Sequence, residues 1–200
     1  MNRHQQRKAT THQNLVNAAR AVISEKGYNN VDILDITEQA NVSKATFYKH
    51  FPNKEACVRE LMQQGFDALV EELLGSGRPV PVTPDFVRHS FERVFAWAED
   101  NREFLLIMVG GQASSHLNVF GRNYMAEIIE RALVHDFPGK STDPLDSAEV
   151  KAQIITGIMI QLLGWWLEND TGYSPSDMAV LVQDVLRDGL RLPQRESYDL

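Results

Sequence analysis

Apolar positions recur every three to four residues along the chain, and the prolines at 52, 79, 81, 84, 138, 144, 175 and 193 fall where one periodic stretch ends or the next begins. Proline breaks helix interiors, so the stretches between are helix candidates. No run alternates apolar and polar residues long enough for a strand. The pattern predicts an all-α chain of about nine helices, in two parts.

In the first part, Leu15, Ala18, Ala19, Val22 and Ile23 share one helical face. Thr10 or Thr11 is the expected cap, and Gly27 the stop, in a left-handed turn that lays Tyr28 on Ile23. Asp32 caps a second helix to about Ala40, with Ile33, Ile36 and Ala40 inward and Asn41 in the turn. Ser43 caps a short third helix, where Val42 and Phe47 make a hydrophobic staple. Phe51 shares the face of Phe47, and Pro52 ends the helix. Asn53 caps a long fourth helix to Leu74, striped by Val58, Leu61, Met62, Leu69, Leu73 and Leu74. A Gly75-Ser76-Gly77 stop and a Pro79/Pro81 linker follow.

In the second part, Thr83-Pro84-Asp85 opens a helix. A short apolar piece, Phe104 to Val109, precedes Gly110-Gly111, and further helices are expected over roughly 115–136, 147–169 and 176–190. Ser147 and Ser176 start the last two without a full capping box. Ile154, Ile158, Leu162 and Trp165 form one apolar stripe. Ile155, Met159, Leu163 and Trp166 form its neighbour, and Met178, Leu181, Val182, Val185 and Leu186 supply the facing helix. One stripe suits the subunit core and the other a four-helix bundle with a second copy, with Gly157 and Gly164 permitting close approach. Both stripes also fit within one monomer core. The apolar window 154–167 falls short of the roughly 20 residues a membrane span needs and is read as a buried helix.

Composition adds limits. Of 200 residues, 43% are hydrophobic and 24% charged, as in an ordinary globular chain. A single cysteine, Cys57, excludes an intrachain disulfide or a multi-cysteine metal site. The polar, basic start has no apolar stretch behind it, which points to a cytoplasmic protein without a targeting segment. Net charge is −7, but residues 1–54 carry eight Lys and Arg against four Asp and Glu, leaving −11 on the remainder. A basic head on an acidic body suggests a polyanion partner for the head alone.

Two short helices joined by a tight turn make a helix-turn-helix, whose second member can enter the major groove. With Phe47 and Phe51 inward, the opposite face offers Lys44, Ala45, Tyr48 and Lys49, while Thr46, His50 and Lys54 flank it as phosphate donors. The alternative is a small helical subdomain with a solvated basic face.

The run Gly27-Tyr28, Ile36, Ala40-Asn41-Val42-Ser43-Lys44-Ala45-Thr46-Phe47-Tyr48-Lys49-His50-Phe51, then Asn53-Lys54-Glu55, closely resembles the DNA-binding domain of the TetR family of bacterial repressors. The resemblance covers roughly residues 10–60. It implies an N-terminal three-helix head, residues 1–54, and a larger C-terminal helical domain, residues 55–200. That domain would bind an effector and form a homodimer through its last two helices. It also implies that Lys44, Ala45, Tyr48 and Lys49 contact bases or backbone, and Thr46, Tyr48, His50 and Lys54 phosphates. Asn41 departs from the usual Gly, and Thr37 from the frequent Ala.

Met62, Phe66, Phe95, Met108, Phe120, Tyr124 and Trp165 are candidates to line an effector cavity, although each also serves as ordinary core. An enzyme is not expected. There is no Gly-x-Ser-x-Gly elbow, His-Glu-x-x-His, phosphate loop or Glu-x-x-His pair, the six histidines are scattered, and no metal or cofactor is called for. The expectation is a dimeric DNA-binding repressor released from a near-palindromic operator by a small apolar or aromatic effector. The alternative is a DNA-binding protein governed by a protein partner, or an architectural one.

Overall fold

The computed structural model describes residues 2–74, 83–102, 105–106, 114–136 and 143–189. Eight α-helices and no strand lie among them, close to the nine helices expected. They are α1 (Arg3–Lys26), α2 (Ile33–Gln39), α3 (Lys44–Tyr48), α4 (Lys54–Leu74), α5 (Pro84–Asp100), α6 (Ser115–Asp136), α7 (Ala148–Glu168) and α8 (Pro175–Asp188). The linker after α4, most of the piece from Phe104 to Val109 and the chain beyond Gly189 lie outside the described residues.

Most helix starts follow the caps in the sequence. Asp32 accepts from the amides of Leu34 and Asp35, and the Asp35 carboxylate accepts from the Asp32 amide in return. Ser43, Thr83 and Ser147 cap α3, α5 and α7, and Asn53 accepts from the Ala56 amide at the start of α4. Each such cap supplies an acceptor to an otherwise unpaired amide and contributes about 1 kcal/mol.

Two starts differ. The first helix begins at Arg3, held by a capping box between Asn2 and Gln5. Thr10 and Thr11 sit inside it, their hydroxyls donating to the Gln6 and Arg7 carbonyls. Helix α8 begins at Pro175 under a full capping box of Ser174 and Asp177, with the cap two residues before the expected Ser176. Gly27 ends α1 at φ 78° and ψ 151°, a glycine conformation but not the expected αL turn.

Two apolar cores result. The first packs Leu15, Val22, Ile23, Tyr28, Ile36, Phe47 and Phe51 against Cys57, Val58, Leu61, Met62 and Phe66 of α4, and takes Leu117 from α6. It therefore runs across residue 54. The second joins Phe95 and Ala98 of α5, Met159, Leu163, Trp166 and Leu167 of α7, and Met178 and Val182 of α8. Helix α8 packs chiefly on α5 and touches α7 only lightly; α7 packs on α6. The Trp166 indole donates to the Tyr173 carbonyl across the α7–α8 turn at 3.0 Å. By length and composition α7 could cross a membrane, yet Ala152, Thr156, Met159, Leu163, Gly164, Trp166 and Leu167 are buried within the fold.

Phe47 is fully buried, 5.7 Å ring to ring from Phe51. Replacing it, Phe47→Ala, is expected to lower unfolding free energy by about 3–5 kcal/mol in a urea titration followed by circular dichroism. A loss under about 1 kcal/mol would mean that α3 is not anchored through this ring.

Candidate nucleic-acid interface and effector cavity

A tight turn sets the angle between α2 and α3. Asn41 adopts φ 53°, the one positive φ outside glycine among the described residues. The Val42 amide donates to the Thr37 carbonyl at 2.9 Å, and Ser43 Oγ accepts from the Thr46 amide at 3.1 Å. The five residues of α3 are too few to hold a helix by propensity alone. Their rotation is decided by Phe47, which turns the opposite side outward.

That outward side carries exposed Lys44, Ala45 and Lys49, with Tyr48 57% exposed. The Tyr48 ring stands edge-on to Phe47 at 5.7 Å and 89°, so the core braces a ring that is otherwise largely exposed. Thr46 is half-buried, and its hydroxyl lies 3.0 Å from Ser43 Oγ. His50 is also half-buried, 5.6 Å from the His12 ring of α1. Burial holds its proton affinity below the usual histidine range, assisted by His12 and by the charges of Lys8 and Lys49. Lys44, Ala45, Thr46, Tyr48, Lys49 and His50 are thus brought together on one short surface.

Lys54 is placed differently. Its ammonium donates to the carbonyls of Tyr28 and Val31, at 2.7 Å each, and lies 4.1 Å from the Tyr28 ring centroid. Burial depresses its pKa. Lys54 therefore bolts the start of α4 to the turn that follows α1. Its sequence position gave no sign of this, because the two carbonyls lie 26 and 23 residues away.

A cavity of about 210 Å³ lies between α4, α5, α6 and α7. Of the sequence candidates, Met62 and Phe66 line it, and Trp97, Leu105, Met125 and Leu163 supply further apolar wall. Phe95 instead packs edge-on against Trp166 at 5.4 Å. Phe120 and Tyr124 continue a stack from Phe66, with centroid separations of 6.0 Å for Phe66–Tyr124 and 5.8 Å for Phe120–Tyr124. Trp165 is 43% exposed on the far side of α7, and Met108 lies outside the described residues. Two polar residues missed from sequence, Asn118 and Arg122, line the cavity one turn apart on α6. Asn118 Oδ1 is buried without a hydrogen-bond partner among the described residues, and a buried acceptor left unpaired costs about 1–3 kcal/mol. Asn118 and Arg122 are four apart and share one face of a helix that mixes polar and apolar residues, so no distinct signal in the sequence marks them.

Helices α4 and α6 are clasped along their length. Tyr124 donates to Asp67, Ser114 donates to Glu55, and Arg59 lies over the Phe120 ring. A Cβ on Gly121 would come within 2.7 Å of Met62 Cε, so the glycine leaves the room on α6 that the flexible end of the Met62 side chain fills. The helix that walls the cavity is thus the helix bolted to the head.

Lys54→Met keeps the aliphatic stem but removes the charged donor from two carbonyls. It is expected to lower unfolding free energy by about 1.5–3 kcal/mol, read by urea titration at neutral pH. An unchanged midpoint would mean that the bolt carries no load.

Comparison with known proteins adds to this geometry. The family model for bacterial regulatory proteins of the tetR family matches residues 15–61, and a model for a transcriptional regulator C-terminal region matches residues 87–188. The chain is 27% identical over 152 residues to IcaR, a negative transcriptional regulator of the icaADBC biofilm operon in Staphylococcus epidermidis, covering 76% of this chain and 80% of that one. It is 23% identical over 180 residues to a fatty acid metabolism regulator protein of Bacillus subtilis, covering 86% and 90%. Among solved structures, FadR of Bacillus halodurans, a fatty acid degradation regulator, superposes with a TM-score of 0.68 at 18% identity over 90% of this chain and 96% of that one. FadR of Bacillus subtilis in complex with stearoyl-CoA superposes at 0.63, with 19% identity and coverage of 89% and 98%.

Proposed function

We propose, from the premise that the chain belongs to the TetR family of bacterial transcriptional regulators, that it is a cytoplasmic homodimeric repressor whose two heads occupy successive major grooves of a near-palindromic operator. The observation that carries the reading is the outward, cationic and Tyr48-bearing side of α3, locked in rotation by Phe47. Lys44, Ala45, Tyr48 and Lys49 would meet bases and backbone. Thr46 and His50 would donate to phosphate, and Lys54 acts by holding the head. The functional division falls at residue 54, although the apolar packing there is continuous.

The dimer face we assign to α7 and α8. Ile154 and Trp165 are 55% and 43% exposed, Val180 and Leu181 41% and 46%. Gly157, one turn from Ile154, has open space where its Cβ would stand. Exposed aliphatic and aromatic side chains flanking bare backbone suit an isologous helix contact. Trp165→Glu is expected to yield monomers in sedimentation velocity and to keep the helical spectrum. A persistent dimer would move the interface elsewhere.

The effector would sit between α4, α5, α6 and α7. An apolar cavity of about 150 Å³ holds a benzene, so 210 Å³ fits a compact apolar or aromatic body. Asn118 and Arg122 ask for one polar group on it, a hydrogen-bond donor toward Asn118 Oδ1 or an acceptor toward Arg122. The fatty-acid regulators among its relatives support an acyl or aryl acid as the class to screen first. Filling the cavity presses on α4, and the ligand acts through its different affinity for the two head spacings.

Selection of bound duplexes from a random pool tests the DNA reading, with enrichment of near-palindromic sites as the expected result. On the recovered site, Tyr48→Ala is expected to weaken binding at least tenfold without changing the dimer. No enrichment, or unchanged affinity in the variant, contradicts the reading. Release of DNA only by another protein, with no small molecule raising the melting temperature, would contradict the effector reading.

A further inference from the structure

The first two turns of α1 project beyond the packed body of the head. Residues 2–10 are all exposed, and the first fully buried side chain is Leu15. At 1.5 Å per residue Arg3 therefore stands about 18 Å along the helix from the core. The family model begins only at residue 15, so this projection lies beyond the matched region. Its helical state has a local cause, the reciprocal bonds of Asn2 and Gln5.

Its chemistry is one-sided. Arg3, Arg7 and Lys8 are its charges, the first acid in the chain is Glu25, and none of the three cations pairs with a carboxylate among the described residues. Residues 2–13 include no large apolar side chain, so the segment has nothing to insert into a bilayer. Its direction is fixed by His12, whose ring lies 4.6 Å from Phe51 and 5.6 Å from His50. The helix thus runs past the end of the α3 segment. Lys8 is one turn before His12 on the same face, near enough for its charge to act on His50.

From this placement we propose that the amino-terminal turns of α1 are a second DNA-contacting element, in which Arg3, Arg7 and Lys8 bind phosphates of the duplex flanking the half-site read by α3. The inference rests on the DNA-binding reading given above. The contacts are electrostatic and independent of sequence, so they extend the footprint and add affinity without altering the site recognised.

The triple variant Arg3→Ala/Arg7→Ala/Lys8→Ala tests this, because alanine preserves helix propensity. Circular dichroism would verify the fold. Anisotropy titrations between 50 and 200 mM salt would use the selected duplex with long flanks and with flanks trimmed to the site. The slope of log affinity against log salt is expected to become shallower by about 0.9 for each phosphate that the variant no longer neutralises. That difference between wild type and variant should vanish on the trimmed duplex. Equal slopes on the long duplex overturn the proposal, as does binding by the wild type to anionic phosphatidylglycerol vesicles that the variant loses while its DNA slope is unchanged. If wild type binds and Tyr48→Ala weakens it, equal slopes sink this inference alone. If wild type selects no duplex, the regulator reading fails with it.

Discussion

The burial of one ring, Phe47, decides what the head can do. Helix α3 has five residues and no means of choosing its own rotation. Seating Phe47 in the first core, with Phe51 beside it, turns Lys44, Ala45, Tyr48 and Lys49 to solvent on a surface narrow enough for a groove. Hydrophobic burial here sets geometry as well as stability: the same contact that removes apolar area from water aims the polar side chains. Everything proposed about recognition depends on that rotation being single-valued, which close packing enforces.

The head does not sit on a loose tether. Lys54 joins α4 to the turn after α1 through two carbonyls, and Met62 and Phe66 of the same helix belong both to the head core and to the cavity wall. Helix α6 is tied to α4 by the contact at Gly121, by the Tyr124–Asp67 hydrogen bond and by an aromatic stack. A molecule bound between them would work against an element already fastened to the helix-turn-helix. The coupling is a short mechanical route, and its size would be set by how differently the cavity fits the two arrangements.

Much of the fold was legible because its signals are local. Caps such as Asp32, Ser43 and Thr83 act within three residues, and apolar spacing records which faces are buried. The same reasoning explains what was missed. The first two turns of α1 bury nothing, so periodicity could not register them, and only the Asn2–Gln5 pair marked their start. Ser174, not Ser176, caps α8, and its local marks are Pro175 at the first helical position and Asp177 three residues after the cap. The partition of the paired tryptophans, Trp166 into the core and Trp165 to the surface, depends on helices far apart in sequence. So do the pairing of α8 with α5, the engagement of Lys54 with the Tyr28 and Val31 carbonyls and the meeting of Asn118 with the cavity. Long-range packing leaves no mark on a single segment.

The most direct test of the central claim is the chemical reactivity of Tyr48 with and without DNA. Tyr48 and Tyr173 are similarly exposed, 57% and 56%, while Tyr28 is 7% exposed. Nitration mapped by peptide mass spectrometry should therefore modify Tyr48 and Tyr173 in the free protein and spare Tyr28. With a saturating selected duplex, the account expects Tyr48 to be protected and Tyr173 to react as before. Undiminished modification of Tyr48 in the complex would contradict it, because the side of α3 that Phe47 turns outward would then not be the side that meets DNA.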